Sequence, residues 1–102
     1  MKRDKRSSKK YFRLTDIVEA CDVSVEFIRA MEQERLIKSV RRRRLKWYPL
    51  DQVDRIRVAH VLVGEMGVNL AGVEVALHMR EQIIRMRRQL AIILRRLDER
   101  GV

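Results

Sequence analysis

Residues 14–36 read LTDIVEACDVSVEFIRAMEQERL, a pattern that predicts two short helices joined by a tight turn. The hydroxyl of Thr15 can accept an unpaired N–H at the start of the first helix, and apolar residues at helical spacing give that helix one apolar face. Asp22 and Val23 interrupt the pattern, and Ser24 can then cap a second helix with apolar residues at spacing three. The order of cap, helix, turn, cap and helix is that of a helix-turn-helix.

A β-hairpin is predicted directly after the two helices. Two short segments rich in strand-forming residues, 37–40 and 45–48, flank four consecutive arginines, Arg41, Arg42, Arg43 and Arg44. A hairpin in this place is called a wing, and we expect the four arginines at its tip. A polyanion would relieve their mutual repulsion most, although a run of solvated charges is the alternative interpretation.

Two aromatic residues, Trp47 and Tyr48, lie near the end of the predicted hairpin. We expect both to anchor the hairpin to the core rather than to stack on bases, because a small hairpin needs such an anchor. Pro49 ends the hairpin. Asp51 follows as an N-cap or as an acidic residue in the first turn of a third helix.

The last part of the chain predicts one long helix. Gly67 can end the third helix in the left-handed conformation, and Asn69 can cap the long helix that follows. In that helix, apolar side chains recur at alternating spacings of three and four. The part of this pattern from residue 79 onwards, here called the apolar stripe, comprises Met79, Ile83, Met86, Leu90, Ile93 and Leu97.

A long helix with one apolar stripe is not stable alone in water, so the pattern predicts a homodimer, and we expect antiparallel helices. The alternative is that the helix folds back on its own domain. Three apolar residues off the stripe widen the apolar face and would allow contact with both: Ile84, Ile92 and Leu94.

The composition limits the class of partner. The chain has 102 residues, and 24 Lys and Arg against 14 Asp and Glu give a net charge of +10. This excess argues for a polyanionic partner: DNA, RNA, an acidic protein surface or an anionic membrane. No run approaches the roughly 18 apolar residues that a membrane span needs, so we expect a cytoplasmic protein. Membrane-surface binding is disfavoured because the heptad pattern fits a partner helix better.

The sequence offers little for metal or catalytic chemistry. The single cysteine, Cys21, allows no internal disulfide, and His60 and His78 lie far from it in sequence, so we expect no metal site and no cofactor. No Ser/His/Asp or Cys/His arrangement, locally justified carboxylate pair or phosphate-binding glycine loop is present. We therefore expect no enzymatic activity.

These observations predict a mainly α fold: a winged helix-turn-helix with a short β-hairpin wing and a long C-terminal dimerisation helix. We expect three segments. They are a disordered basic arm over residues 1–10, the winged helix-turn-helix domain over residues 11–68, and a C-terminal helical dimerisation segment over residues 69–102.

With these elements in order, the chain resembles the MerR-type winged helix-turn-helix superfamily. Residues 23–25 open the second helix, and Arg29 and Glu32 stand where that family has an Arg-aromatic-aromatic-Glu run. Residues 36–37 follow at the family's Leu-Leu exit, and residues 53–56 resemble the start of its third helix.

Two further segments resemble particular branches of this superfamily. Residues 67–73, GVNLAGV, look like the segment found in the heat-shock-repressor branch and in chaperone-modulator proteins of the CbpM type. Trp47 before Tyr48, residues 75–77 and the overall length look closest to the CbpM type.

The sequence also departs from the superfamily pattern. Residues 30–31 are Ala-Met in place of the aromatic pair, and Asp22 and Arg35 each replace a glycine. Because the sequence stops at the end of the long helix, we expect neither an effector-binding domain nor the cysteine ligands of metal-sensing members. The resemblance therefore does not imply a metal- or drug-responsive regulator.

The resemblance implies a DNA-binding transcriptional regulator that binds a palindromic operator as a homodimer. Its second helix would enter the major groove of double-stranded DNA, its wing would contact phosphates, and Arg29 would be the best candidate for a base or phosphate contact. The predicted DNA-contacting residues are Arg13, Thr15, Ser24, Val25, Glu26, Arg29, Arg41, Arg42, Arg43, Arg44 and Lys46. The alternative is a CbpM-like modulator that binds a DnaJ-type co-chaperone, a J-domain protein, which the loss of the aromatic pair makes plausible.

Overall fold

The computed structural model describes residues 10–101, so the predicted basic arm lies outside the described residues except for Lys10. The fold is mainly α, a winged helix-turn-helix with a long C-terminal helix, as the sequence predicts. The elements in chain order are β1 (Tyr11–Phe12), α1 (Leu14–Cys21), α2 (Val25–Gln33), β2 (Val40–Arg42), β3 (Leu45–Pro49), α3 (Leu50–Met66) and α4 (Leu70–Glu99).

A three-stranded antiparallel sheet contains the wing, which is β2, β3 and the turn between them. The strand order is β1-β3-β2, with Phe12 opposite Tyr48 and Val40 opposite Trp47. Strand β1 was not predicted, because two residues carry no alternating pattern. Its pairing with β3 and the hydrogen bond from the Leu50 N–H to the Lys10 carbonyl (2.9 Å) join the start of the chain to the wing.

Alternation along β3 gives the sheet two different faces. Tyr48 points inward and is buried, which confirms its predicted role as an anchor. Trp47 points to the opposite face and is only half-buried, so the prediction that it anchors the core is wrong. The residues on that side form the outer sheet face: Tyr11, Val40, Arg42, Leu45 and Trp47.

The tip of the wing is shorter than predicted. Arg41 and Arg42 extend β2 and pair with Lys46 and Leu45, so only two of the four arginines form the turn. Arg43 and Arg44 both have left-handed backbones, with φ values of 54° and 66°. A two-residue hairpin turn requires this conformation so that its twist matches that of the strands, and it favours Asn-Gly rather than Arg-Arg.

Local signals set most helix ends. The Ser24 Oγ accepts the Phe27 N–H (3.0 Å), and the Asn69 Oδ1 accepts the Gly72 N–H (2.8 Å), so both predicted caps are confirmed. Gly67 ends α3 with φ at 67°, also as predicted. Asp51 lies in the first turn of α3 rather than at its cap.

The predicted Thr15 cap is wrong. Helix α1 starts at Leu14, with Arg13 as the N-cap residue, so the observed cap lies two residues before the predicted one. The carboxylate of Asp16 accepts the Arg13 N–H (3.2 Å), so an acidic residue inside the first turn provides the capping contact.

Helix α4 uses two different faces. Val73 and Leu77 are fully buried in the core, beside residues of the other helices such as Ile28, Met31 and Ile56. Ion pairs from Arg55 to Glu81 and from Asp54 to Arg80 (2.7 Å) also fasten α4 to α3. The apolar stripe lies on a different face, and its side chains remain exposed by 46–64%. The stripe is therefore not covered by the chain's own domain.

Candidate nucleic-acid interface

Helix α2, the second helix of the helix-turn-helix, presents a small set of side chains near its start. Ser24 and Glu26 are exposed and Val25 is half-buried. The Ser24 hydroxyl oxygen already accepts a backbone N–H, which leaves its own proton free to donate. Arg29, one turn further along, is exposed and forms no ion pair with any residue in the range 10–101.

Arg29 lies beside the wing. Its positive charge acts on the Tyr48 hydroxyl, which it would make more acidic. Burial and the hydrogen bond to Glu32 outweigh this effect and raise the pKa of Tyr48, so the phenol stays protonated and acts as a donor. Arg29 also lies three residues before Glu32, so the two side chains share one side of α2.

Glu32 is the residue that connects α2 to the wing. Its Oε1 accepts the Tyr48 hydroxyl (2.9 Å), and its Oε2 accepts the Ser39 hydroxyl (2.9 Å) and pairs with the Lys46 ammonium (3.1 Å). Burial opposes ionisation of this carboxyl, but the hydrogen bonds from Tyr48, Ser39 and Lys46 together hold the pKa of Glu32 below its ordinary value. One carboxylate therefore fixes the wing against α2.

The five predicted wing cations have different surroundings. Lys46 is engaged with Glu32, and the guanidinium of Arg42 lies 5.1 Å from the centre of the Tyr11 ring. In the part of the chain that the structure describes, the other three, Arg41, Arg43 and Arg44, are exposed and form no ion pair. The free wing charge is therefore concentrated on Arg41 and on the two tip residues.

The two predicted DNA-contacting residues before α2, Arg13 and Thr15, have different surroundings. Thr15 is exposed in the first turn of α1. Arg13 is half-buried, and its guanidinium lies 5.2 Å from the centre of the Trp47 ring. Arg13 is therefore associated with the outer sheet face rather than with the exposed start of α2.

The exposed surface of α2 carries both signs of charge. Glu26 and Glu34 are exposed together with Arg29, and Arg35 follows the helix with a left-handed backbone. A carboxylate near the helix start repels phosphate, so this surface is less cationic than that of the wing.

Sequence reasoning missed the bridging role of Glu32 and the partnership of Ser39 with it. Their contacts span 7 and 16 residues, which is beyond the reach of helical or strand periodicity. The only available signal was the match of Glu32 to the Arg-aromatic-aromatic-Glu run, which does not identify the partners.

Residues 10–101 contain few features of a metal site or a membrane-spanning segment. Within residues 10–101, no group of three or more His, Cys, Asp or Glu side chains could hold a metal ion. None of the helices in that range is long and apolar enough to cross a membrane. His60 packs its ring edge-on against Phe27, with 5.6 Å between the ring centres, as expected for a packed histidine.

Comparison with known proteins identifies the family. No match was found among curated proteins. The sequence matches the family model described as "MerR HTH family regulatory protein" over residues 12–96, which includes every helix and strand except the first residue of β1 and the last residues of α4. The chain belongs to the MerR HTH family of regulatory proteins.

Proposed function

We propose that the chain is a DNA-binding transcription regulator that binds a palindromic operator as a homodimer. The observation that carries this proposal is the wing tip, where Arg43 and Arg44 are exposed, unpaired among residues 10–101, and held in left-handed backbones. The left-handed region costs an ordinary L-residue roughly 1–2 kcal/mol. Asn-Gly would form this turn with less strain, so the arginines serve something other than folding of the hairpin.

The position of the tip supports phosphate contact. Glu32 holds the wing beside α2, and Arg29 lies on the same side of α2, three residues before Glu32. When α2 enters the major groove, Ser24, Val25 and Arg29 reach base edges or nearby phosphates, and the tip arginines reach flanking phosphates. Lys46 and Arg42 contribute less than predicted, because Glu32 and Tyr11 already engage them.

The exposed apolar stripe supports the homodimer. Its six side chains lie on the face of α4 that does not pack on α3, and from Arg85 to Gly101 every residue of the chain is exposed. A second copy offers the same stripe, so two antiparallel α4 helices would cover each other by knobs-into-holes packing. A two-fold dimer reads an operator whose half-sites are related by the same symmetry.

The test uses the double variant Arg43→Asn/Arg44→Gly. We expect tighter folding of the hairpin together with weaker DNA binding, because strain is relieved while two phosphate contacts are lost. Fluorescence anisotropy with DNA from the chain's own promoter region, between 50 and 300 mM salt, should give a slope of log affinity against log salt reduced by about 3.6, because each protomer of the dimer loses two phosphate contacts. Footprinting on the same DNA checks for a palindromic site.

The matched control is Arg95→Gln/Arg96→Gln, which removes two charges from the far end of α4. Its salt slope should equal that of the unmodified chain. An unchanged slope in the wing variant would show that the wing does not contact phosphate. Absence of any sequence-selective DNA binding by the unmodified chain would overturn the proposal that it is a transcription regulator.

One observation favours a second candidate function, a modulator that binds a DnaJ-type co-chaperone. Glu26 and Glu34 make the exposed surface of α2 partly acidic, which suits a protein partner better than a phosphate backbone. Capture of a J-domain protein by the purified chain, without a footprint on promoter DNA, supports this candidate. The substitution Glu26→Gln separates the two functions, because it should strengthen DNA binding and weaken binding of the J-domain protein.

A further inference from the structure

The outer sheet face has an apolar surface that the fold leaves uncovered. Tyr11, Val40 and Leu45 are exposed by 37%, 36% and 41%, and Trp47 between them is half-buried. Tyr11, Leu45 and Trp47 line a shallow depression together with Arg42 and Arg43. Aromatic and aliphatic side chains around a depression are suited to receive an apolar side chain from a partner.

Cations surround this apolar surface. The guanidinium of Arg42 stacks over Tyr11, and that of Arg13 stacks over Trp47. The Nε of Arg13 is shielded from solvent and has no hydrogen-bond acceptor among residues 10–101. Arg42 and Arg43, which line the depression, form no ion pair with any residue in the range 10–101.

The arginines and the two aromatic rings of the outer sheet face distinguish between the partners that could bind there. The chain's own residues 1–9 are basic, and the same face of a second copy would bring its arginines against Arg42 and Arg43, so neither complements this face. A guanidinium already lies over one face of each of the two rings, which leaves unpaired bases less ring surface for stacking. The sugar-phosphate backbone of a DNA duplex offers no large apolar group to fill the depression between Tyr11, Leu45 and Trp47. An acidic peptide with a large apolar residue complements both the apolar depression and the arginines around it.

We propose that the outer sheet face binds an acidic peptide segment whose apolar side chain enters the depression between Tyr11, Leu45 and Trp47. Carboxylates on either side of that residue pair with Arg42 and Arg13, whose stacked guanidiniums present their N–H edges in fixed planes. This proposal does not depend on DNA binding, because Trp47 and Tyr48 point to opposite faces of the sheet and α2 lies on the Tyr48 side.

The experiment uses the single tryptophan of the chain, Trp47, as its reporter. The probe is a synthetic twelve-residue peptide with a central Leu-Leu pair flanked by Asp and Glu. Two control peptides replace the Leu-Leu pair by Ser-Ser, or every acid by its amide. We expect saturable Trp47 fluorescence change with the first peptide, and at least tenfold weaker binding of both controls.

Variants of the chain test the contacts separately. Leu45→Ser and Arg42→Gln should each weaken binding of the acidic peptide at least fivefold, whereas Val61→Ser, which removes an exposed apolar residue of α3, should not. Leu45→Ser should leave promoter binding unchanged, so failure of this proposal is distinguishable from failure of the DNA-binding function. Amide chemical-shift mapping of the unmodified chain provides a readout that needs no variant.

Each contrary outcome overturns the proposal in a specific way. Equal binding of the Ser-Ser peptide would reduce the interaction to non-specific charge attraction. Chemical-shift changes on α2 or α4 instead of β2 and β3 would place the peptide elsewhere. Tighter binding of a single-stranded oligonucleotide, in competition with the peptide at Trp47, would assign this face to nucleic acid.

Discussion

The carboxylate of Glu32 on α2 accepts the phenolic hydroxyl of Tyr48 on β3 at 2.9 Å, and this contact joins the helix-turn-helix to the wing. The two residues are 16 positions apart in the sequence, one on α2 and the other on the last strand of the wing. Ser39 and Lys46 bind the same carboxylate, so three parts of the chain converge on one side chain. The relative placement of α2 and the wing therefore depends on Glu32.

Removal of the Tyr48 hydroxyl should weaken this alignment. We expect Tyr48→Phe to lower the free energy of unfolding by about 1–2 kcal/mol, because a hydrogen bond to a charged acceptor is lost while the buried ring remains. Urea denaturation followed by circular dichroism measures the change. The control Tyr11→Phe removes a hydroxyl from an exposed tyrosine and should stay within about 0.5 kcal/mol. Equal effects of the two changes would contradict the role of Tyr48.

Stability should fall in acid through Glu32 and Asp54. Burial opposes ionisation of each carboxyl, but hydrogen bonds outweigh it and lower both pKa values in the folded chain: Tyr48, Ser39 and Lys46 bind Glu32, and Arg57 and Arg80 bind Asp54. The unfolded chain then binds protons first as the pH falls. The stabilisation is present above the ordinary carboxyl pKa values of 4.5 and 3.8, and it is lost as the pH falls through the lower folded values.

The measurement for this pH dependence is urea denaturation at several pH values from 7 to 3. Glu32→Gln should flatten the loss of stability between pH 5 and pH 3, and Glu26→Gln, at an exposed acid, should leave it unchanged. A Glu32→Gln curve parallel to that of the unmodified chain would refute the assignment.

Arg35 should be less favourable than glycine at its position. Its backbone is left-handed, with φ at 61°, directly after α2. Relief of this strain, reduced by the greater chain entropy of glycine, should make Arg35→Gly more stable by about 0.5–1 kcal/mol. Asp22→Gly relieves a similar φ of 54° but should gain less, because Asp tolerates this region better than Arg. Thermal unfolding of the two variants shows which one gains more stability, and a loss of stability in Arg35→Gly would contradict the prediction.

Gly64 and Gly72 should respond to alanine in opposite directions. A Cβ on Gly72 would lie 2.7 Å from Cγ1 of Val68 and 3.3 Å from the capping oxygen of Asn69, whereas a Cβ on Gly64 meets nothing within 4 Å. Gly72→Ala should therefore destabilise the chain by about 1–3 kcal/mol through overpacking. Gly64→Ala, inside α3, should stabilise it by up to about 1 kcal/mol through helix propensity. Melting temperatures that shift in the same direction would contradict this contrast.

The proposed dimer should depend on the apolar stripe and not on the rest of the exposed surface of α4. Leu90→Asp places a charge in the stripe and should shift the sedimentation of the chain from dimer to monomer. Ala91→Asp, on the next residue but on another face of the helix, should remain a dimer. Monomeric sedimentation of the unmodified chain at micromolar concentration would remove the basis for the dimer.

Sequence reasoning succeeded where the determining contacts are local. The caps at Ser24 and Asn69 and the left-handed Gly67 were predicted because each depends on groups within five residues. It also identified the wing, but with too many residues in its turn, since strand propensity alone does not assign Arg41 and Arg42 to β2. The Thr15 cap failed because Asp16 competes for the same role and β1 fixes where the helix begins.

The sequence by itself determined the order of the helices, the wing and the apolar stripe, because periodicity, caps and charge runs are properties of neighbouring residues, whereas the exposure of the stripe was decided by the tertiary structure. Only the tertiary structure decided which charges are free. Glu32 engages Lys46, Tyr11 engages Arg42, and Trp47 lies under Arg13 on the outer sheet face. These pairings join residues 14 to 34 positions apart, so they exist only once the sheet has packed against α2 and the chain has closed on itself.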